Sequence, residues 1–353
     1  MPHISLHGLP ISWLCERGAP DPVADLLGAL WPVEAGEPQS GGVSILVRAA
    51  SESAAESPDA EGCSPVFFQG VVQAYRGGPG ADDAFLLWDR ASRVRVPLDG
   101  SPIVADIAPA SREVVPGSAA IMLHIALAIA LRREGLFHLH AAALAHPSGA
   151  GVLVAGGSGA GKTTTAIALI EAGYAYLGDD TLFFRPAPAT SSDERQPSVE
   201  ILAFPREFHV GPATLRANPR LKKLARPRAG YAPKLALDPR RAFPGRHRLA
   251  LSSPRVALFP SIADAHSTEM APLSKADAFG RLLASSAAIL IDGVPRRAEN
   301  ITLLQTIVEG ASCPEIRLGR DVLDGFDGLD GPDGPVGPTA AIAPHLERIL
   351  GKC

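Results

Sequence analysis

The sequence contains few cysteines. There are four among its 353 residues, at Cys15, Cys63, Cys313 and Cys353. Their spacing matches neither a zinc-ligand pattern nor the dense framework of a small disulfide-bonded domain. We therefore expect reduced thiols and a cytoplasmic protein.

The sequence also lacks a large excess of charge of either sign. Lys and Arg number 33 and Asp and Glu number 37, which gives a formal net charge of -4. This balance gives no electrostatic reason to expect nucleic acid or an anionic membrane as a partner. One local exception is a basic stretch at residues 216–228, which could bind phosphate groups.

No apolar run is long enough to span a bilayer. The most apolar one, residues 119–131, is too short and contains His124, so residues 118–134 predict a buried helix instead. Residues 1–18 have no basic segment before an apolar core, and we expect no signal peptide. A protein of this length is expected to form two domains.

A glycine-rich stretch is the strongest positive signal in the chain. Residues 156–163 read GGSGAGKT and fit the phosphate-loop pattern G-x-x-x-x-G-K-[ST] in full. Residues 137–146 predict one strand, residues 151–155 predict a buried strand immediately before the loop, and residues 164–172 predict a helix after it. Such a loop turns its backbone N–H groups toward a bound anion, and the helix dipole adds positive potential. The residues predicted to bind the nucleotide are Gly156, Gly157, Ser158, Gly159, Ala160, Gly161, Lys162, Thr163 and Thr164.

Two adjacent carboxylates follow the loop at a meaningful distance. A helix and a returning strand at residues 174–177 would carry Asp179 and Asp180 to the sheet edge where the loop lies. Phosphoryl transfer needs Mg²⁺ and a group that accepts the proton of the attacking hydroxyl. The pattern predicts ATP and Mg²⁺ as cofactors, with Lys162 on the β- and γ-phosphates and Thr163 on the metal.

Residues 140–180 resemble the catalytic domain of the HPr kinase/phosphorylase family. The likeness lies in His140, the loop GGSGAGKT, the helix ending in Ala172-Gly173, and the segment 177–180 (LGDD). That family shares a P-loop superfamily with the ATP-type phosphoenolpyruvate carboxykinases. The resemblance implies an α/β P-loop kinase domain of this type over residues 119–323.

The residues themselves predict the flanking regions. Alternating apolar residues at 42–47, 66–72 and 84–88 predict strands of a small N-terminal mixed-β domain at residues 1–118. Residues 324–353 predict a linker and a short helix at residues 344–350.

The resemblance also implies residue roles. Asp179 would take the proton of the acceptor hydroxyl, Asp180 would help to hold Mg²⁺, and His140 would orient Asp179 or contact a phosphate. Thr164 stands where the bacterial HPr kinases usually carry an acidic residue, and the family's later signature segment is missing. A pure kinase is therefore expected, acting on a hydroxyl of a protein, a peptide or a small molecule.

Several alternatives stay open at the sequence level. Arg206 and Lys234 could neutralise the transferring phosphate, although each could also be a solvated surface charge. A P-loop ATPase or GTPase, or a nucleotide-sensing regulatory protein, would use the same loop. The N-K-x-D sequence of guanine-specific switches is absent. The chain could form a homo-oligomer.

Overall fold

The structure is a computed structural model that describes most of the chain. The described residues are 2–27, 42–51, 56–77, 84–109, 117–188, 198–204, 206–227, 233–286, 293–323 and 337–351. Two compact units are present: Met1–Phe137 with Ala288–Arg297, and His138–Ala287 with Ala298–Cys353. The boundary expected near residue 118 falls at the start of a helix of the first unit. Most of the predicted linker, residues 324–336, lies outside the described residues.

The first unit contains an eight-stranded mixed sheet. Its order is β1-β2-β3-β8-β7-β6-β5-β4. The pairs β2–β3 and β3–β8 are parallel, and the other pairs are antiparallel. The strands are β1 His3–Leu6, β2 Leu9–Cys15, β3 Val43–Ala49, β4 Cys63–Gln69, β5 Val72–Gly77, β6 Ala84–Trp88, β7 Arg93–Pro97 and β8 Ile103–Ile107.

Alternating side chains join this sheet to its helix. Val43, Ile45 and Val47 on β3 are buried, as the period of a strand with one covered face requires. The helices of this unit are α1 Pro22–Leu27 and α2 Ser118–Arg133, and α2 packs on the strands. The predicted helix at residues 118–134 is confirmed. It ends in Arg132 and Arg133, where cations favour the helix dipole.

The prediction of one strand in this unit is wrong. Residues 66–72 were expected to form a single strand, but β4 and β5 form a hairpin there. Gly70 lies in the turn with a φ of 61°, a left-handed conformation that glycine adopts without steric cost. The strands predicted at residues 42–47 and 84–88 are confirmed.

The second unit is built on a six-stranded mixed sheet. Its order is β12-β10-β11-β18-β20-β19, and the central pairs β11–β18 and β18–β20 are parallel. The strands are β10 Ala141–Ala145, β11 Gly151–Ala155, β12 Ala175–Gly178, β18 Val256–Ile262, β19 Glu269–Pro272 and β20 Pro314–Leu318. Both β10 and β11 are buried along their whole length, which is typical of strands covered on both faces.

Five helices accompany this sheet. They are α3 Lys162–Glu171, α7 Lys275–Ser285, α8 Arg297–Gly310, α9 Arg320–Leu323 and α10 Pro338–Leu350. The terminal helix α10 packs on α3 and buries Ile342, Leu346 and Leu350. It begins six residues before the predicted start at Pro344, which lies inside the helix instead. None of the helices in the described ranges is long and apolar enough to cross a bilayer.

Two smaller sheets complete the second unit. A four-stranded sheet has the order β17-β14-β13-β9, and a two-stranded sheet pairs β15 with β16. The strands are β9 Phe137–Leu139, β13 Leu182–Pro186, β14 Val199–Ala203, β15 Phe208–Val210, β16 Leu235–Leu237 and β17 Ala250–Leu251, and the short helices are α4 Pro212–Ala217, α5 Pro219–Lys222 and α6 Pro239–Ala242. The molecule is therefore a mixed α/β protein with several sheets.

The single strand predicted at residues 137–146 is wrong in one respect. It is divided between β9 and β10, which belong to different sheets. His140 lies at the division, and its backbone N–H donates to the carbonyl of Ser285 at 2.8 Å instead of to a neighbouring strand. This break turns the His140 side chain toward the loop that follows β11.

Candidate functional site

The glycine-rich loop connects the carboxyl end of β11 to the first turn of α3. Its tight course depends on Gly159 and Gly161, whose φ angles are 80° and 101°. A Cβ on Gly161 would lie 2.4 Å from Leu318 Cδ1, so the space beside the loop admits only glycine. The strand, loop and helix predicted from the sequence are therefore present in that order.

Lys162 is the first residue of α3, and its side chain is only 5% exposed. Its ammonium donates to the carbonyls of Gly156 and Gly157, at 2.9 and 3.1 Å, and to His140 Nε2 at 3.1 Å. Burial lowers the pKa of this ammonium, and the nearby Asp180 and Asp179 offset part of the shift. A cation held this way lies directly beneath the loop.

His140 joins the lysine to the second aspartate. Its Nδ1 lies 2.7 Å from the backbone carbonyl of Asp180, which can only accept, so Nδ1 carries the proton. Nε2 is then an acceptor for the Lys162 ammonium. Burial, followed by the charge of Lys162, lowers the pKa of His140, which agrees with a neutral ring. His138, two residues earlier, packs edge-on against the ring of Phe183 instead.

Asp179 is buried, with 1% of its surface exposed. Its Oδ2 accepts a hydrogen bond from Thr163 Oγ1 at 2.9 Å, and Oδ1 has no hydrogen-bond partner among the described residues. Burial, reinforced by the charge of Asp180, raises the pKa of this carboxyl to about 8, although the Thr163 bond opposes the shift. An oxygen that is buried and unpartnered beside a hydroxyl is a ready ligand position for a hard cation.

The side chain of Asp180 has different neighbours from that of Asp179. Its Oδ1 lies 3.8 Å from both Lys162 Nζ and His140 Nε2. The residue has a φ of 64°, a left-handed conformation that aspartate tolerates better than most residues. The two adjacent carboxylates therefore face different surroundings: Asp179 faces Thr163, and Asp180 faces the lysine and the histidine.

An open cavity of about 210 Å³ lies over these groups. Parallel strands β11 and β18 both end at this edge, where open α/β sheets bind ligands. The opposite wall comes from the segment after β15, whose Thr214 bonds the Thr164 hydroxyl at 2.8 Å. The lining residues are His140, Ser158, Gly159, Gly161, Lys162, Thr163, Thr164, Asp180, His209, Gly211, Pro212, Ala213, Thr214, Lys234, Ile262 and Leu323.

Most of the residues predicted from the sequence meet at this cavity. Lys234 lines it and forms no hydrogen bond or ion pair with another described residue. Asp179 is bonded to Thr163 and does not line the cavity. The other predicted residues that do not line it are Gly156, Gly157, Ala160 and Arg206. Thr214, Ile262 and Leu323 were missed, because they follow the loop by many residues and carry no motif of their own.

Few side chains at this site could bind a metal ion without further ligands. No group of three or more His, Cys, Asp or Glu side chains able to hold a metal occurs in the described part of the chain. Mg²⁺ does not need one, since it keeps several waters and binds through one or two carboxylates and the phosphates of its substrate. Thr163 and Asp179 fit that limited role.

The comparisons with known proteins give a weak likeness to solved structures. No protein-family model matches the chain, and no curated protein sequence matches it. Among solved structures, the chain is similar to the Hpr(Ser) kinase/phosphatase from Coxiella burnetii, with 11% sequence identity and a TM-score of 0.23. That match covers 52% of this chain and 85% of the other. A TM-score this low carries no argument about function.

Proposed function

We propose that the second unit binds ATP with Mg²⁺ and transfers its γ-phosphoryl group to a hydroxyl. The observation that carries the proposal is that two adjacent carboxylates have different neighbours. Asp179 is bonded to the threonine of the glycine-rich loop, and Asp180 lines the cavity beside Lys162. One carboxylate is suited to a metal and the other to a proton, which are the two roles that phosphoryl transfer requires.

The loop and Lys162 would hold the phosphates. In the free protein the ammonium is bonded to the loop's own carbonyls, so it is already positioned and already dehydrated. Phosphate oxygens are stronger acceptors for a cation than carbonyls, and they would replace Gly156 and Gly157 as its partners. His140 keeps the ammonium on this side of the loop through Nε2.

Thr163 and Asp179 would hold Mg²⁺. The hydroxyl and the carboxylate are already in contact, and Asp179 Oδ1 lacks a partner among the residues described. When bound, the ion would neutralise charge on the phosphates and orient the terminal one. Burial of Asp179 excludes water from this side, which strengthens the attraction between the carboxylate and a cation.

Asp180 would accept the proton. As the acceptor oxygen bonds to the γ-phosphorus, the bond to the β,γ-bridging oxygen breaks and ADP leaves with that electron pair. The proton of the acceptor hydroxyl passes to the Asp180 carboxylate, which lines the cavity. Lys162 and Lys234 supply positive charge where negative charge develops on the phosphoryl oxygens.

This assignment reverses the roles that the resemblance implied for the two aspartates. The resemblance made Asp179 the proton acceptor and Asp180 the metal ligand. A side chain that is 1% exposed and bonded to Thr163 is badly placed to meet an acceptor hydroxyl. Asp180 has the access that this step needs, and Asp179 has the neighbour that a metal ligand needs.

A labelling experiment with a matched pair of variants tests the proposal. The protein is incubated with γ-labelled ATP, Mg²⁺ and a library of peptides that contain Ser, Thr and Tyr. We expect label on acceptors only, with little release of free phosphate. Asp180→Asn should retain affinity for the nucleotide and lose transfer, whereas Asp179→Asn should lose the gain in nucleotide affinity that Mg²⁺ provides.

Two results would contradict the proposal. Release of phosphate at one rate with and without acceptors would make the protein an ATPase. Full transfer by Asp180→Asn, with thermal unfolding like that of the unaltered protein, would remove the proton acceptor proposed here.

A further inference from the structure

Positive charge is concentrated in one segment of the second unit. Residues 206–248 contain twelve Lys and Arg and only two acidic residues, Glu207 and Asp238, a formal net charge of +10. The whole chain has a formal net charge of -4, which leaves -14 on all other residues. A segregation this strong creates a local field that an average over the whole chain conceals.

The described residues of this segment pack on the core of the second unit, and most of their basic side chains are exposed. Phe208 and Phe243 are buried in the core of the second unit, and the Arg220 guanidinium lies over the Phe243 ring, which joins α5 to α6. Backbone hydrogen bonds between Arg226 and Ala236 attach the chain after α5 to β16. These contacts keep the basic side chains on a fixed surface.

Some of these charges are neutralised and others are not. Arg220 pairs with Glu171, Arg226 pairs with Glu207, and Arg240 pairs with Asp238. Other basic side chains are exposed and have no ion pair with a described residue. They are Arg216, Lys222, Lys223, Arg241, Arg246 and Arg248, and we call the first four the basic face.

The basic face begins beside the cavity and runs away from it. Helix α4 lines the cavity through Pro212, Ala213 and Thr214, and it carries Arg216 near its other end. Helix α5 follows at once and carries Lys222, and its Arg220 pairs with Glu171 at the end of α3 away from the loop. A chain bound along α4 and α5 would therefore have one end at the opening where Asp180 and Lys234 are found.

We propose that the basic face docks an acidic polypeptide that presents the acceptor hydroxyl to the cavity. The identification of this polypeptide as the acceptor rests on the proposed function, but the docking itself needs no nucleotide. Its Asp and Glu side chains would pair with Arg216, Lys222, Lys223 and Arg241, and the acceptor hydroxyl would follow at the end that reaches the cavity. Charge complementarity of this kind speeds association and selects the partner.

The surroundings favour a polypeptide over a nucleic acid or a membrane. Proteins that bind single strands stack bases on exposed aromatic rings, whereas Phe208 and Phe243 are buried. A long polyanion would also extend beyond this segment onto the rest of the second unit, where 18 acidic residues outnumber 10 basic ones. Leu224, 38% exposed beside Lys223, adds an apolar contact that suits a mixed acidic and apolar chain.

Binding of a fluorescein-labelled peptide of repeating Glu and Ser tests the proposal, by anisotropy and without nucleotide. The charge-reversed variant is Lys222→Glu with Lys223→Glu. Its matched control is Arg17→Glu with Arg95→Glu, which changes the net charge equally at two exposed positions of the first unit. A second variant, Arg216→Gln with Arg241→Gln, removes charge without adding any and guards against a failure to fold.

We expect the Glu–Ser peptide to bind in a salt-sensitive manner and a Gly–Ser peptide to bind far more weakly. Both basic-face variants should lose affinity, the charge-reversed one by at least about tenfold, while the control keeps it. Nucleotide binding should be unchanged in all of them, so a failed docking test and a failed kinase test remain distinguishable. Tighter binding to a DNA oligonucleotide or to phosphatidylserine vesicles, or no effect of the variants on peptide binding, would overturn the proposal.

Discussion

The Thr163 hydroxyl donates a hydrogen bond to Asp179 Oδ2 across 2.9 Å. This bond joins the first turn of α3 to the residue that follows β12, the edge strand beside β10. It satisfies one oxygen of a carboxyl that is almost completely buried. The geometry of the site and the stability of the second unit therefore depend on the same contact.

Removal of the Thr163 hydroxyl should cost stability. Thr163→Val keeps the shape of the side chain but leaves Asp179 with neither oxygen bonded, a loss of about 1–3 kcal/mol in the free energy of unfolding. Thr163→Ser retains the hydroxyl and should recover most of that loss. Urea denaturation of the three proteins measures the effect, and equal stability of the Val and Ser variants would show that the bond contributes nothing.

The raised pKa of Asp179 predicts how stability depends on pH. The pKa of the Asp179 carboxyl is about 4 in the unfolded chain and about 8 in the native state. Between these pH values the native state therefore keeps its proton. The native state then binds more protons than the unfolded state, so this group makes stability fall as pH rises from about 4 to about 8. The slope from one such group is at most about 1.4 kcal/mol per pH unit.

Asp179→Asn should flatten this dependence. The amide cannot ionise, so the fall between about pH 4 and pH 8 should be shallower in the variant than in the unaltered protein. Denaturation at a series of pH values, with a chelator present to remove metal ions, measures both slopes. Parallel slopes would mean that the buried carboxyl is ionised throughout this range.

Gly161 should tolerate no side chain. Gly161→Ala forces a left-handed φ on alanine and brings Cβ within 2.4 Å of Leu318 Cδ1, so we expect a loss of about 1–3 kcal/mol in stability. Gly157→Ala is the matched control, because a Cβ there meets no atom within 4 Å. Thermal unfolding compares the two variants. The prediction fails if both unfold at the same temperature.

The imidazole of His140 should be neutral at pH 7, with its proton on Nδ1. The carbonyl of Asp180 accepts that proton and the ammonium of Lys162 donates to Nε2. Nitrogen-15 NMR of the imidazole distinguishes this tautomer from the other one and from the charged ring. The assignment would be contradicted by a signal from a charged ring or from a proton on Nε2.

The sequence predicted the centre of the site better than its rim. The residues of the glycine-rich loop and the aspartate pair lie in one short stretch, where pattern and spacing determine geometry. His140 was found only through the family resemblance, since it precedes the loop and belongs to no pattern of its own. Thr214, Ile262 and Leu323 reach the cavity only through tertiary folding, and no local pattern distinguishes them from other residues of their kind.

The division of β9 from β10 was hidden for a related reason. The run at residues 137–146 is apolar throughout except for its histidines, so its pattern reads as one buried strand. The break depends on pairing with different sheets and on the carbonyl of Ser285, more than a hundred residues away. The different surroundings of Asp179 and Asp180 also come from tertiary contacts, because adjacent residues with identical side chains cannot be distinguished by composition.

The most direct test of the central claim is the affinity of a fluorescent ATP analogue, with Mg²⁺, for Lys162→Met. Methionine has a similar length but removes the donor to Gly156, Gly157 and His140, so thermal unfolding must first show that the variant is folded. Loss of a charge-assisted bond to phosphate predicts binding weaker by about tenfold to a hundredfold, while Lys223→Met binds normally. Equal affinity of Lys162→Met and the unaltered protein would mean that no phosphate lies at this loop.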